Sequence, residues 1–301
     1  DVYHTAISGH SSITFYLNFI FKFKNEKNPL VLKEISKNLN NISSLFYNAP
    51  EHIQNGLNNL KIAFFKPILD EYGFHTTPND KESTGTLRAI IIEILCNSNH
   101  KETIDKMLEL YENWLYNEDM SIANDIRPLF LRVAARFGTI NQYAQVKIIS
   151  MLASTAQQQL TASMALCFTQ NQELIEETLR YTISTEVRAQ DTCFLISILA
   201  LNPKARDLTW QFVKDNWELL EGRYKHNVST LGEILRSSAS LLASKKDLKD
   251  LKDFFEVKDH SSFNMALDNT MERVEMNVNF VEKASNQLES WLINQEYIVQ
   301  P

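Results

Sequence analysis

The chain holds 301 residues, 44% hydrophobic and 22% charged, with a formal net charge of −7. That length can bury the core of one large domain or two small ones, and the acidic balance leaves nucleic-acid binding without electrostatic support. With only 7 glycines and 7 prolines the chain lacks the tight-turn residues of a sheet-rich fold, so it reads as all-helical.

Apolar periodicity predicts helices, in chain order, over 12–24, 30–46, 51–72, 84–97, 100–117, 120–137, 140–153, 155–168, 171–182, 186–201, 203–221, 229–242, 245–256 and 261–296. The most apolar run, "ITFYLNFIFKF" from Ile13, is short and holds Asn18 and Lys22, so no membrane span is expected. "HTTPNDKES" at 75–83 is the clearest loop. Cys96 and Cys167 end apolar helix runs and read as small buried hydrophobes. With Cys193 they make no Cys-x-x-Cys pair and no disulfide framework, which points to a reducing compartment. No linker or composition shift marks a boundary, so a single domain over 1–301 is expected. The start at Asp1 rather than Met reads as a piece of a longer protein.

The stretch from Ser184 to Leu220 shows the pattern. Phe194, Ile198 and Leu201 share one face, with Leu195 and Leu199 beside it. Asn202 then sits where an N-cap would, with Pro203 at the first helical position. The next segment pairs Leu208 with Phe212 and Val213 with Trp217, four residues apart. Such antiparallel pairs recur at roughly 20 to 40 residues, the range of helical solenoids. In the last segment Leu267, Met271, Val274, Val278 and Val281 alternate at four and three, and Leu288 continues a stripe that can pack along preceding hairpins. The expected fold is an all-α superhelix, a bowl of paired antiparallel helices of the HEAT or armadillo kind.

Chemistry-bearing motifs are sparse. The histidines at 4, 10, 52, 75, 100, 226 and 260 include no pair four apart, hence no His-Glu-x-x-His helix and no metal-ligand spacing. The glycines are scattered singly, so no phosphate-binding loop is present. Glu176 and Glu177 read as a solvated helix face. The sequons at Asn41 and Asn227 are what chance supplies in an Asn-rich chain. Arg188, Gln190 and Asp191 admit two readings: a helix first turn in which Arg188 pairs locally and an acidic residue favours the dipole, or a polar cluster that meets a ligand.

"EVRAQDT", "NPKARDLTWQFVKDNWELL", "DLKDLKDFF" and "ALDNTMERVEMNVNFVEKASNQLESWL" together resemble the C-terminal helical domain of aminopeptidase N type zinc aminopeptidases. Earlier stretches agree in order: "DVYHTAISG", then "LRAIIIEILCNSNHKETIDKMLELYENWL", then "DIRPLFLRVAARFG". The resemblance covers essentially the whole chain. It implies that the zinc site and its His-Glu-x-x-His motif lie in an upstream catalytic domain absent from this chain. The chain itself would be inactive and would cover that active site, limit access and face the peptide substrate. In the family one cover residue borders the pocket for the substrate's first side chain, and the match here falls on Leu241 in "SSASLLAS". Acid-selective members carry Arg there, so Leu241 implies a preference that is not acidic. Leu242 stands where the family usually has Phe. The resemblance also places Arg188, with Gln190, as candidates to face the bowl interior. Secreted members carry a disulfide near the match to Cys96; its absence implies a cytoplasmic enzyme of the puromycin-sensitive type.

Two functions follow. One is the cover domain of a zinc aminopeptidase, with peptides and its own catalytic domain as partners. The alternative is a non-enzymatic scaffold from a catalytically decayed relative, binding proteins or nascent peptides. An intact zinc motif upstream of Asp1 distinguishes them.

Overall fold

The computed structural model describes residues 1–77, 80–117 and 126–298. Among the described residues regular structure is helical: sixteen α-helices and two short 3-10 turns. The expected all-α class holds. The chain packs as two compact units, Asp1–Gln142 with the chain from Lys283 onward, and Tyr143–Glu282.

The first unit contains α1 (Val2–Ile7), α2 (Ile13–Ile20), α3 (Pro29–Leu45), α4 (Glu51–Tyr72), α5 (Glu82–Asn97), α6 (Lys101–Asn117) and α7 (Arg127–Phe137). Local chemistry sets several starts. Ser12 Oγ accepts from the Phe15 N–H at 3.1 Å and Asn28 Oδ1 from the Leu30 N–H at 2.9 Å, each filling a donor the first helical turn leaves open. Helix α5 packs on α3, α4, α6 and α7. Glu93 pairs with Arg132, and Asn97 Oδ1 accepts from Arg136 Nη1 at 3.0 Å. One helical turn along α5 therefore matches one turn along α7, so these helices run parallel.

The second unit contains most of α8 (Ile140–Met151), then α9 (Ala156–Leu166), α10 (Gln172–Thr182), α11 (Thr192–Leu201), α12 (Arg206–Asp215), α13 (Trp217–Tyr224), α14 (Val228–Ala239) and α15 (Lys245–Glu256). Its core centres on Trp217, 2% exposed, whose ring meets Phe254, Phe255 and Phe263 at centroid separations of 5.1–5.8 Å. Ser244 and Asp247 form a reciprocal capping box at the start of α15, with bonds of 3.0 and 3.1 Å. The long α16 (Asn264–Asn294) begins in this unit and ends in the first. Leu267, Val274 and Val278 of its stripe enter the core of the second unit, with Met271 packed against it.

A spacing of 35 residues recurs in the second unit. Asn202 Nδ2 donates to the carbonyls of Cys167 (3.0 Å) and Thr169 (2.8 Å), at the end of α9. Asn277 Nδ2 donates in the same way to Ser240 (2.8 Å) and Leu242 (3.0 Å), at the end of α14. Each asparagine is 35 residues from one of its two acceptors. Carbonyls at and just past a helix C-terminus lack intrahelical donors, and these clasps satisfy them from a later helix end or helix.

Several boundaries depart from the periodicity, among them that of α14, which ends at Ala239 and so leaves Leu241, expected inside the helix 229–242, in a turn. The helix expected from 186 begins at Thr192, after a turn that side chains of α13 hold in place, as described below. The segment 203–221 is two helices broken at Asn216, whose Nδ2 turns back to the Phe212 carbonyl at 2.8 Å. Regular helix also starts at Arg206 rather than Pro203, although Asn202 Oδ1 accepts from the Lys204 N–H at 3.2 Å as a cap would. The short α1 lies outside the periodic segments, at the stretch the resemblance matches to the family's early helix. Residues 120–125 of the helix expected over 120–137, and 78–79 of the loop at 75–83, lie outside the described residues.

Candidate functional site

The residues singled out in the sequence sit at two places in the second unit. Arg188 and Gln190 lie on the turn between α10 and α11, both exposed. That turn is held from α13: Arg223 Nη1 donates to the Ile183 carbonyl at 3.0 Å, and the Tyr224 hydroxyl to the Ala189 carbonyl at 2.7 Å. Its other end is fixed by Thr192 Oγ1, which donates to the Thr182 carbonyl at 2.9 Å. These bonds hold the turn in a non-helical course, and regular helix begins only at Thr192.

Arg188 pairs with Asp191: Nε and Nη2 both reach Oδ2, at 2.7 and 2.6 Å. The guanidinium side chain is 42% exposed and the aspartate side chain 10%. The local pairing anticipated for Arg188 is present. Water screens such a pair, so it contributes little to stability, but it offsets the positive charge Arg188 presents. Beside it is a cleft of about 210 Å³ lined by Gln159, Ser163, Tyr181, Arg188, Asp191 and Leu195, among others. Within it Ser163 Oγ lies 3.1 Å from the Tyr181 hydroxyl.

Leu241 stands in the turn after α14, which ends at Ala239. It is half-buried, while Leu242 is 1% exposed and belongs to the core. The backbone here is strongly held. Arg206, 0% exposed, donates from Nη1 to the Leu241 carbonyl at 3.4 Å and from Nε to the Ala200 carbonyl at 2.9 Å. With the Asn277 clasp on Ser240 and Leu242, the three carbonyls around Leu241 are each bound. The side chain of Leu241 is thus presented from a fixed backbone.

These bonds also set the relation between the two places. Arg206 joins the C-terminal end of α11 to that of α14, and Tyr224, which precedes α14, reaches the turn before α11. The two packed helices are therefore parallel. Leu241 lies at one end of the layer and Arg188 with Gln190 at the other, separated by roughly the 15 Å of a ten-residue helix. Arg206, Arg223, Tyr224 and Asn277, which hold both places, were not singled out in the sequence. Asn277 carried a signal: it is a polar residue beside Val274 and Val278 on the apolar stripe, where burial demands a partner.

Among the described residues no group of three or more His, Cys, Asp or Glu side chains is placed to hold a metal ion. Several histidines are engaged otherwise: His52 with Glu289 at 2.8 Å, His100 with Thr103 at 2.8 Å and His260 with Asn264 at 2.6 Å. Cys96 and Cys167 are buried and free, and Cys193 is half-buried and free. Burial pushes the Cys96 thiol up to about 12, so it is a packing residue and not a nucleophile. No helix of the described residues is long and apolar enough to cross a membrane.

A sequence model of the ERAP1-like C-terminal domain matches residues 1–276. Aminopeptidase 2, mitochondrial, of Saccharomyces cerevisiae is 23% identical over 297 residues, covering 99% of this chain and 31% of the yeast protein. The alanine/arginine aminopeptidase of the same yeast is 22% identical over 297 residues, 99% of this chain and 35% of its own length. Endoplasmic reticulum aminopeptidase 2 of Bos taurus is 26% identical over 257 residues, 83% of this chain and 26% of its own length. The chain spans about a third of the length of the curated yeast relatives it matches. Matched over nearly its full length and built of helices throughout its described regular structure, the chain belongs to the ERAP1-like C-terminal domain family.

Proposed function

We propose that this chain is the C-terminal part of a zinc aminopeptidase that removes N-terminal residues from peptides, and that it forms a bowl of HEAT-like repeats over the active site. The alignment of nearly the whole chain with aminopeptidases carries this reading. The 35-residue spacing of the Asn202 and Asn277 clasps supports the repeat architecture.

The described residues of this chain do not fit a zinc site. When bound, zinc supplies Lewis-acid activation of the attacking water; its ligands would belong to the catalytic domain of the same polypeptide. What this chain contributes is positioning. Leu241 borders the pocket for the first substrate side chain, giving apolar contact without a countercharge and so favouring residues that are not acidic. Its half-buried side chain on a fixed backbone suits that role. Arg188 and Gln190 face the peptide further along, Arg188 with its charge offset by Asp191. The buried free thiols suit a cytoplasmic enzyme.

The test is to assay the metal-replete full-length protein against aminoacyl-coumarin substrates, with and without a chelator. Release that chelation abolishes is the expected result. No release from any aminoacyl substrate would overturn the enzyme reading in favour of a peptide- or protein-binding scaffold.

A further inference from the structure

Helix α11 carries an exposed apolar stripe between the two candidate places. Phe194, Ile198 and Leu201 follow at four and three residues and so share one face of the helix. The opposite face, with Leu195, Ile196, Leu199 and Ala200, is buried. Phe194 is 54% exposed and Leu201 44%, with Ile198 half-buried between them. No residue from Thr192 to Leu201 is charged. The two charged residues of the neighbouring α14, Glu233 and Arg236, pair with each other. Helix α12 packs against both α11 and α14, so the parallel pair forms one layer and turns its exposed faces away from α12.

Both ends of the stripe meet residues already described. Arg206 ties the Ala200 carbonyl, next to Leu201, to the Leu241 carbonyl. At the other end Cys193, next to Phe194, donates from Sγ to the Gln190 carbonyl at 3.5 Å. Clustered apolar side chains at a surface mark a ligand groove or an interface. The dimensions choose between them. A stable interface buries about 800 Å² on each partner, several times what three partly exposed side chains on one helix offer. From Phe194 to Leu201 the helix rises about 10 Å, and an extended chain advances about 3.3 Å per residue. The stripe therefore matches about three residues of an extended peptide.

We propose that this stripe is a track for the peptide substrate beyond its first residue, taking apolar side chains of an extended chain that runs from Leu241 toward Arg188 and Gln190. The inference rests on the reading of this chain as the part of an aminopeptidase that faces its substrate, and adds to it a selectivity for the peptide interior. Leu201, beside Leu241, meets an early position of the peptide, and Phe194 one about three residues later. A charged side chain laid on the uncharged helix would lose water and gain no partner, so the track disfavours it.

The experiment uses the metal-replete full-length protein and heptapeptides that begin with leucine. Each carries one further leucine, at a single position from two to six, in an otherwise serine and glycine chain. Release of the first residue, followed by mass spectrometry, gives kcat/KM. Wild type is expected to favour leucine over serine about tenfold at two positions about three residues apart. Leu201→Ser is expected to lose the earlier preference and keep the later, and Phe194→Ser the reverse, while Phe194→Leu keeps both. If one serine variant fails to fold, the other decides alone, because each is tied to a different position. Preferences absent from wild type, or unmoved by the substitutions, overturn the track. Unmoved preferences with a changed oligomeric state in Phe194→Ser overturn it in favour of a contact between copies. No release from any peptide overturns the peptidase reading and the track with it, whereas release without the two preferences overturns the track alone.

Discussion

Replacing Asn277 with alanine removes one side chain from the middle of α16 and unpins two carbonyls at the end of α14. Asn277 is 3% exposed, and its two bonds to Ser240 and Leu242 measure 2.8 and 3.0 Å. Two such bonds contribute about 1 kcal/mol each, and carbonyls left without a donor cost about 1 kcal/mol more in total where water reaches them only in part. Alanine returns about 0.6 kcal/mol through its higher helix propensity. The expected net loss is about 2–2.5 kcal/mol, or about 5–9 °C in the melting of a unit of this size. Asn277→Asp keeps the shape but removes both N–H donors and sets a carboxylate against two carbonyl oxygens, so it should be worse than alanine. Paired urea titrations followed by circular dichroism give the comparison, with an unchanged m-value required for a stability reading. A loss below about 0.5 kcal/mol for alanine, or an aspartate variant as stable as alanine, would refute the clasp as a source of stability.

Leu241→Arg in the full-length enzyme should raise the ratio of kcat/KM for glutamyl over leucyl substrates by about 10- to 150-fold, the equivalent of a charge-assisted hydrogen bond of roughly 1.5–3 kcal/mol; a change under about twofold in a folded variant would make Leu241 a packing residue. Trp217→Ala should destabilise the second unit by about 3–5 kcal/mol, since a fully buried ring in contact with Phe254, Phe255 and Phe263 leaves a cavity, and calorimetry reads the loss directly. Lys61 sets a pH dependence: its folded pKa of about 7 lies below the ordinary lysine value of 10.5, so between them the unfolded chain binds more protons. Stability should therefore rise with pH across that window, and Lys61→Met should flatten the rise in urea titrations at pH 7 and 10.

How much of this was legible in the sequence varies with the range of the interaction. The bounds of α4 and α15 match the apolar periodicity to the residue, because that pattern and the flanking caps are local. The stripe from Leu267 through Val278 identified the buried face of α16 for the same reason. The ordered resemblance named the family, and the family comparison agrees. The late start of α11 was not legible, because the turn before it is held by Arg223 and Tyr224, side chains 35 to 40 residues away. Nor was the break at Asn216, which lies inside a continuous apolar pattern.

For this protein the amino-acid order by itself determined the helical class, most helix bounds, the apolar faces and the family, all set by neighbours within a turn or two. Only the tertiary structure decided that Asn202 and Asn277 perform the same task, each 35 residues after one of its acceptors. It alone placed Leu241 and Arg188 at opposite ends of a parallel helix pair, and buried Lys61 inside the first unit. The physical reason is that buried polar groups must find partners wherever the fold brings them, and periodicity along the chain carries no record of which distant atom that will be.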